Sequence, residues 1–239
     1  MSGLPTRLAG IEQRIGSACV RAGRSPGDVT LVAVSKKHPP SAIAEALAEG
    51  VTCFGENYVQ EWQAKAEHRD LVGRDLEWAF IGHLQRNKVR FLIGRVALIE
   101  SVDSPRLARE IGKRAAGLGR TQSVLLQVAL HDEDGKGGFT PTSLREALPE
   151  LLTVSGLSIE GLMHIPPPRE SAEAARADHR ALAALRDELQ EATGASLPEL
   201  SMGMSADFEV AIEEGATRVR VGTAIFGPRP GGEDRAETC

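Results

Sequence analysis

The chain has 239 residues, 41% of them hydrophobic and 26% charged, with a formal net charge of −5. That balance excludes a disordered or fibrous chain, and the acidic excess gives no electrostatic footprint for nucleic acid. No apolar run approaches the length of a membrane span, about 18 residues, because Val89–Ile99 is cut by Arg90 and Arg95. Arg7 and Glu12 stand where a signal peptide would be apolar, so the expected mature start is near Met1. Three cysteines, Cys19, Cys53 and Cys239, are odd in number and far apart, which argues against a disulfide framework or a zinc site. A reducing, cytoplasmic setting fits these features.

In chain order, Leu4, Leu8, Ile11, Ile15 and Cys19 recur at spacings of three and four and predict an opening amphipathic helix. Strand-like runs follow at Val29–Val34, Val51–Gly55, Leu76–Gly82 and Arg95–Val102. Four more lie at Ser123–Leu130, Ser158–Ile165, Leu197–Met202 and Thr217–Gly222. Between them, Ser104-Pro105 and Thr140-Pro141 each set a hydroxyl cap before a proline suited to the first helical turn. Leu107, Ile111 and Ala115 form one helical stripe, and Leu144, Leu148 and Leu151 another. Gly50 and Gly117 sit where helix ends favour a left-handed residue.

Several runs are apolar almost throughout, as in Val124-Leu125-Leu126-Gln127-Val128-Ala129-Leu130, which suits strands covered on both faces. About eight strand–helix alternations predict an α/β fold, a single (β/α)₈ TIM-type barrel with an extra N-terminal helix, a fold of typically ~250 residues. A doubly wound open sheet is the competing architecture. The expected organisation is one barrel domain over 1–227 and a flexible tail over 228–239, where Pro230, Gly231 and Gly232 interrupt any pattern.

Several motifs fail. Gly135-Lys136-Gly137-Gly138 lacks the first glycine and the hydroxyl residue of a phosphate loop, with Leu130 and Gly137 in those places. The six histidines show no metal-ligand spacing. Ser205 stands in Gly203-Met204-Ser205-Ala206-Asp207, which is no nucleophile elbow.

What remains is a constellation. Lys36 closes the first strand-like run, on the face where such barrels keep their chemistry, and an amine there can form a Schiff base with an aldehyde. Lys37 is expected on the opposite side, by strand alternation. Ser201-Met202-Gly203-Met204-Ser205 after the seventh strand and Gly222-Thr223-Ala224 after the eighth supply hydroxyls and backbone N–H groups for a phosphate. Arg220 lies inside a strand, where a charge needs a partner, either an aromatic ring nitrogen or a buried carboxylate. Lysine, phosphate cradle and buried arginine together match what pyridoxal 5′-phosphate (PLP) requires.

At this point the chain resembles the pyridoxal phosphate homeostasis proteins, single barrels similar to the PLP-binding domain of bacterial alanine racemases. The matching segments are Ala33-Val34-Ser35-Lys36, Phe54-Gly55-Glu56-Asn57-Tyr58-Val59-Gln60-Glu61, Ile81-Gly82-His83-Leu84-Gln85-Arg86-Asn87-Lys88, Gly161-Leu162-Met163, and Leu200–Ser205 with Val219–Gly227. The resemblance implies that Lys36 carries PLP as an internal aldimine and that Ser201, Ser205, Gly222 and Thr223 surround the phosphate. It further implies that Arg220 faces the pyridine nitrogen and that Asn57 lines the site. Two departures stand out. Trp78-Ala79 replaces the family's Trp-His, and Gln127-Val128-Ala129 replaces Gln-Val-Asn, so polar contacts at the rim are expected to be lost.

The function implied is a PLP-binding protein of intracellular cofactor homeostasis, without robust turnover and with no catalytic residue of its own. Its expected partners are PLP and PLP-dependent apo-enzymes, with no nucleic acid and no membrane, the protein itself being a monomer or weak homodimer. A racemase- or decarboxylase-type PLP enzyme is the rival. Such enzymes add a β-rich domain supplying a tyrosine base, whereas here the eight units use up the chain and the only tyrosine is Tyr58. A barrel aldolase using Lys36 is a weaker rival, since it leaves a buried Arg220 unexplained.

Overall fold

The structure, a computed structural model, describes residues 3–131 and 137–228. Met1, the tail from 229 onward with Cys239, and the Gly135-Lys136 half of the glycine-rich turn lie outside these residues. Helix α1 (Leu4–Arg21) precedes strand β1 (Thr30–Val34), α2 (Pro40–Ala48), β2 (Cys53–Glu56), α3 (Val59–Ala66) and β3 (Glu77–Phe80). Then come β4 (Leu98–Val102), α4 (Pro105–Gly117), β5 (Gln122–Gln127), α5 (Pro141–Leu151) and β6 (Leu157–Met163). The chain continues through α6 (Arg176–Thr193), β7 (Glu199–Met204), α7 (Phe208–Glu213), β8 (Arg218–Val221) and α8 (Thr223–Phe226). Each strand pairs in parallel with the next and β8 returns to β1, so the sheet closes into an eight-stranded barrel with its helices outside. The expected fold class is the observed one.

Alternation along each strand divides the core in two. Outward residues such as Ala33, Phe54, Phe80, Ile99, Leu126 and Val219 join the helices in one large apolar cluster. Full burial of a large side chain of this kind contributes roughly 1.5–3 kcal/mol. Inward residues form two small clusters, Val32 with Cys53, Ala79 and Ile81, and Leu98 with Leu125 and Met163. Four buried polar side chains, Glu100, Ser201, Arg218 and Arg220, stand among the inward positions. This barrel is therefore wired at its centre, a feature with direct bearing on the site.

Helix α1 buries Leu4, Leu8, Ile11 and Ile15 and packs against α7 and α8. Arg24 just beyond it donates to the carbonyls of Ile212 (3.0 Å) and Ala216 (2.8 Å), tying the opening helix to the end of the barrel. The two predicted caps are present. Ser104 Oγ accepts the Leu107 N–H and Thr140 Oγ1 the Ser143 N–H.

Three local expectations are corrected. The left-handed residue after α4 is Gly119 (φ 64°), not Gly117, which ends the helix itself. Strand β4 begins at Leu98 rather than Arg95, because a left-handed Gly94 (φ 69°) still turns the chain there. A 3₁₀ segment, Arg86–Phe91, stands where a β3–β4 helix would be expected. Gly50 (φ 95°), by contrast, does take the left-handed conformation after α2.

Candidate functional site

The C-terminal ends of all eight strands open on one face, as in barrels generally. Lys36 stands there, half-buried, two residues beyond β1. It does not close the strand, and the alternation argument for Lys37 fails with it. Both lysines occupy a turn, and Lys37 has φ 63°.

Below this rim runs a polar column through the barrel. Glu100 on β4 accepts from Arg218 Nε (3.1 Å) and from Ser201 Oγ (2.6 Å). Ser201 Oγ in turn accepts from Arg220 Nη1 (2.5 Å), and Arg220 Nη2 donates to the His164 carbonyl (2.8 Å). Burial opposes the charge of Arg218, but Glu100 outweighs it and Arg218 is held above the ordinary arginine range. Burial dominates at Arg220 and pulls its guanidinium below that range. The same burial pushes the Cys53 thiol, which accepts from Arg218 Nη2, up to about 12.

The column gives Ser201 its partners. A hydroxyl has one proton, and that of Ser201 goes to Glu100. Ser201 is fully buried and acts as a link between Glu100 and Arg220. The buried carboxylate that one reading of Arg220 required is thus present, one hydroxyl away.

Ser205 behaves differently. Its Oγ accepts the Gly222 N–H (3.4 Å), so the loops after β7 and β8 meet with the serine proton uncommitted to that contact. Gly222 is half-buried and Thr223 exposed at the same edge. Asp207 fixes this edge from below, accepting the Met204 N–H (2.7 Å) and bonding the buried His179 Nε2 (3.0 Å). Burial works to raise the Asp207 carboxyl, but these contacts outweigh it and hold the group below the usual carboxylate range. Gly203 (φ 87°) is required here, since a Cβ would meet the Phe208 Cα at 2.9 Å.

Beside these loops, at the ends of β2, β3, β5 and β6, lies a cleft of about 800 Å³ lined by Asn57, Tyr58, His83, Lys88, Ala129 and His164 among others. Asn57 lines this cleft; Lys36, Ser205, Arg220, Gly222 and Thr223 lie outside its wall. Gly82 lets the chain after β3 press on Asn57, because a Cβ would stand 2.2 Å from the Asn57 carbonyl oxygen. Two buried polar atoms of the cleft residues, Asn57 Oδ1 and His164 Nε2, have no hydrogen-bond partner. His164 Nδ1 faces the Val128 carbonyl at 2.9 Å, so it carries the proton and Nε2 presents a bare lone pair.

Burial drives His164 down to about 4 from its ordinary 6.5, which keeps it neutral. Between those values the unfolded chain binds a proton that the folded chain refuses. Stability is therefore complete above pH 6.5 and falls as pH drops toward about 4. His164→Asn keeps a donor for Val128 and should flatten this part of the pH–stability profile, by up to about 3 kcal/mol across the window. Denaturant midpoints of both proteins across the window check this, and parallel profiles would refute it.

The family described as alanine racemase, N-terminal domain, matches residues 11–230. The pyridoxal phosphate homeostasis protein of Aquifex aeolicus is 49% identical over 223 residues, which cover 93% of this chain and 97% of that one. The chain belongs to the pyridoxal phosphate homeostasis protein family. Among solved structures, PipY of Synechococcus elongatus PCC7942 with PLP bound is 40% identical at a TM-score of 0.82, covering 94% of this chain and 100% of its own. Alanine racemase of Clostridium difficile 630 shares only 17% identity at a TM-score of 0.72, covering 98% of this chain and 58% of the racemase, a likeness of fold alone.

Within this homeostasis-protein barrel the two departures from the family pattern fall in different places. Ala129 lines the cleft, where a lost polar contact would be felt. Ala79 does not reach the rim. It is 1% exposed and packs inside the barrel with Val32, Cys53 and Ile81, so its effect is on packing.

Sequence reasoning missed Glu100, Glu56, Lys65 and His164. Glu100 had a readable signal, a lone carboxylate within the apolar run Leu98-Ile99-Glu100-Ser101-Val102.

Proposed function

We propose that this chain binds PLP at the C-terminal face of its barrel, with Lys36 as the aldehyde-binding amine, and serves intracellular PLP homeostasis. The observation that carries the reading is Arg220. A guanidinium 4% exposed, bonded to Ser201 and the His164 carbonyl and reaching the Glu100 carboxylate only through a hydroxyl, is a costly group that a ligand acceptor would help to satisfy. PLP fits its surroundings. Its ring nitrogen is an acceptor for Arg220, its phosphate matches Ser205, Gly222 and Thr223, and the unpartnered Asn57 Oδ1 and His164 Nε2 belong to residues lining the cleft. When bound, PLP supplies a reactive aldehyde; the chain supplies the amine, the anion cradle and the ring contact.

The same site is poorly furnished for steady turnover. Acid–base work at an amino-acid carbon needs groups held firmly and shielded from water, each worth typically 10²–10⁴-fold. The candidates are Tyr58 and His83. Tyr58 is 44% exposed, and the His83 side chain is 72% exposed with Nδ1 3.2 Å from Asp103. Both stand at an open rim. A cofactor carrier that hands PLP to apo-enzymes suits such openness better than a racemase or decarboxylase.

Borohydride reduction of the PLP-loaded protein, followed by peptide mapping, should place the pyridoxyl group on Lys36. Added amino acids should change the visible spectrum while racemisation and decarboxylation stay near the level of free PLP. Labelling chiefly at Lys37 would overturn the amine assignment, and turnover on the order of 1–10³ per second would overturn the carrier reading.

A further inference from the structure

Lys65 is a lysine of α3 only 4% exposed, and it lies outside the polar column described above. Its ammonium spends three donors at once, on the Ser35 carbonyl (2.8 Å), Glu56 Oε1 (2.6 Å) and Glu61 Oε1 (2.7 Å). Glu61 and Lys65 are one helical turn apart, while Glu56 ends β2 beside β1, so a local spacing and a strand pairing converge on one cation.

Each carboxylate oxygen also holds a residue next to Lys36. Glu56 Oε1 accepts from Ser35 Oγ (2.6 Å), and Glu61 Oε1 accepts the Lys37 N–H (2.5 Å). Ser35 is further held by its N–H to the Gly55 carbonyl (3.1 Å), and its own carbonyl takes the His38 N–H (3.0 Å). The residue before Lys36 is therefore anchored to Glu56 and Lys65 and the residue after it to Glu61, and Lys65 joins the two carboxylates. Lys37 has φ 63°, a conformation that a lysine keeps only where its surroundings impose it.

We propose that Lys65 is the positioning residue for Lys36. Its bridge between Glu56 and Glu61 sets the Ser35–Lys37 turn and so fixes where the Lys36 side chain leaves the backbone. Reaction of an amine with a bound aldehyde depends on such placement far more than simple docking of the same ligand does. Two carboxylates on one ammonium also explain why Lys65 tolerates burial. Burial still lifts the Glu56 carboxyl above its usual range, and its Oε2 has no hydrogen-bond partner.

The inference rests on the reading that Lys36 meets the PLP aldehyde, and two ligands separate the claims. Pyridoxine 5′-phosphate carries a hydroxymethyl group in place of the aldehyde, so it reports the ring and phosphate site without the amine. Equilibrium dialysis of Lys65→Met should show PLP affinity lowered by about tenfold or more, with pyridoxine 5′-phosphate affinity unchanged within about twofold. Lys65→Arg should restore part of the difference. Should Lys65→Met fail to fold, Glu61→Ala keeps the Lys65–Glu56 pair, frees the Lys37 N–H and should give the same split. A variant that weakens both ligands alike, or neither, overturns the positioning role. If the unaltered protein itself binds the two ligands equally, the Lys36 reading falls, and the positioning role with it.

Discussion

Replacing Glu100 by leucine should cost about 3–5 kcal/mol of folding stability, the range seen when one partner of a buried ion pair is removed. The loss is large because one carboxylate, fully buried, serves two elements. It receives Arg218 Nε directly and, through Ser201 Oγ, supports Arg220. Without it two guanidinium groups, 8% and 4% exposed, share an interior without a counter-charge bonded to either. The double variant Glu100→Leu with Arg218→Met should recover much of the loss, because it removes the stranded charge along with its partner. Urea unfolding of the three proteins measures both effects. A single-variant loss below about 1 kcal/mol, the worth of a surface pair, would mean that water screens this interior.

PLP should bind at least about a hundredfold more tightly than pyridoxal. Two charge-assisted hydrogen bonds to the phosphate, at roughly 1.5–3 kcal/mol each, suffice for that ratio. The groups proposed for it are the Ser205 hydroxyl, whose oxygen already meets the Gly222 N–H, and the Gly222-Thr223 edge. Ser205→Ala should narrow the gap between the two ligands. Ser201→Ala should leave the gap unchanged and weaken both, since it loosens Arg220 instead. Equal binding of PLP and pyridoxal would remove the loops after β7 and β8 from the site.

Much of the fold is local in origin and therefore readable. Eight β-branched or apolar runs, the stripe Leu4–Ile15 and the caps at Ser104 and Thr140 reflect forces acting within a few residues, and each reappears in the barrel. Boundaries were less legible. Gly117 and Gly119 are equally plausible helix stops by composition, and only the length of α4 decides that Gly119 turns left-handed. At the site, Lys36, Asn57, Ser205 and Arg220 drew attention as residues out of keeping with their neighbours or as members of a matched segment. Their employment did not follow from that. Ser201 and Ser205 look alike in the segment Ser201-Met202-Gly203-Met204-Ser205, yet one is consumed by Glu100 and the other meets Gly222.

Sequence alone determined the α/β class, the alternation of strands and helices and the presence of an amine, hydroxyl-rich segments and an arginine within a strand, while closure into a barrel rather than an open sheet was decided by the tertiary structure. Periodicity and capping act over three to five positions, so they survive without knowledge of what lies across the sheet. Tertiary structure alone decided which charges neutralise one another. Glu100 reaches Arg218 across 118 positions and Ser201 across 101, and Lys65 reaches the Ser35 carbonyl across 30. A charged side chain has no intrinsic preference for one distant partner over another until closure of the barrel removes water from both, and that closure assigned Arg220, Ser201 and Lys65 their places.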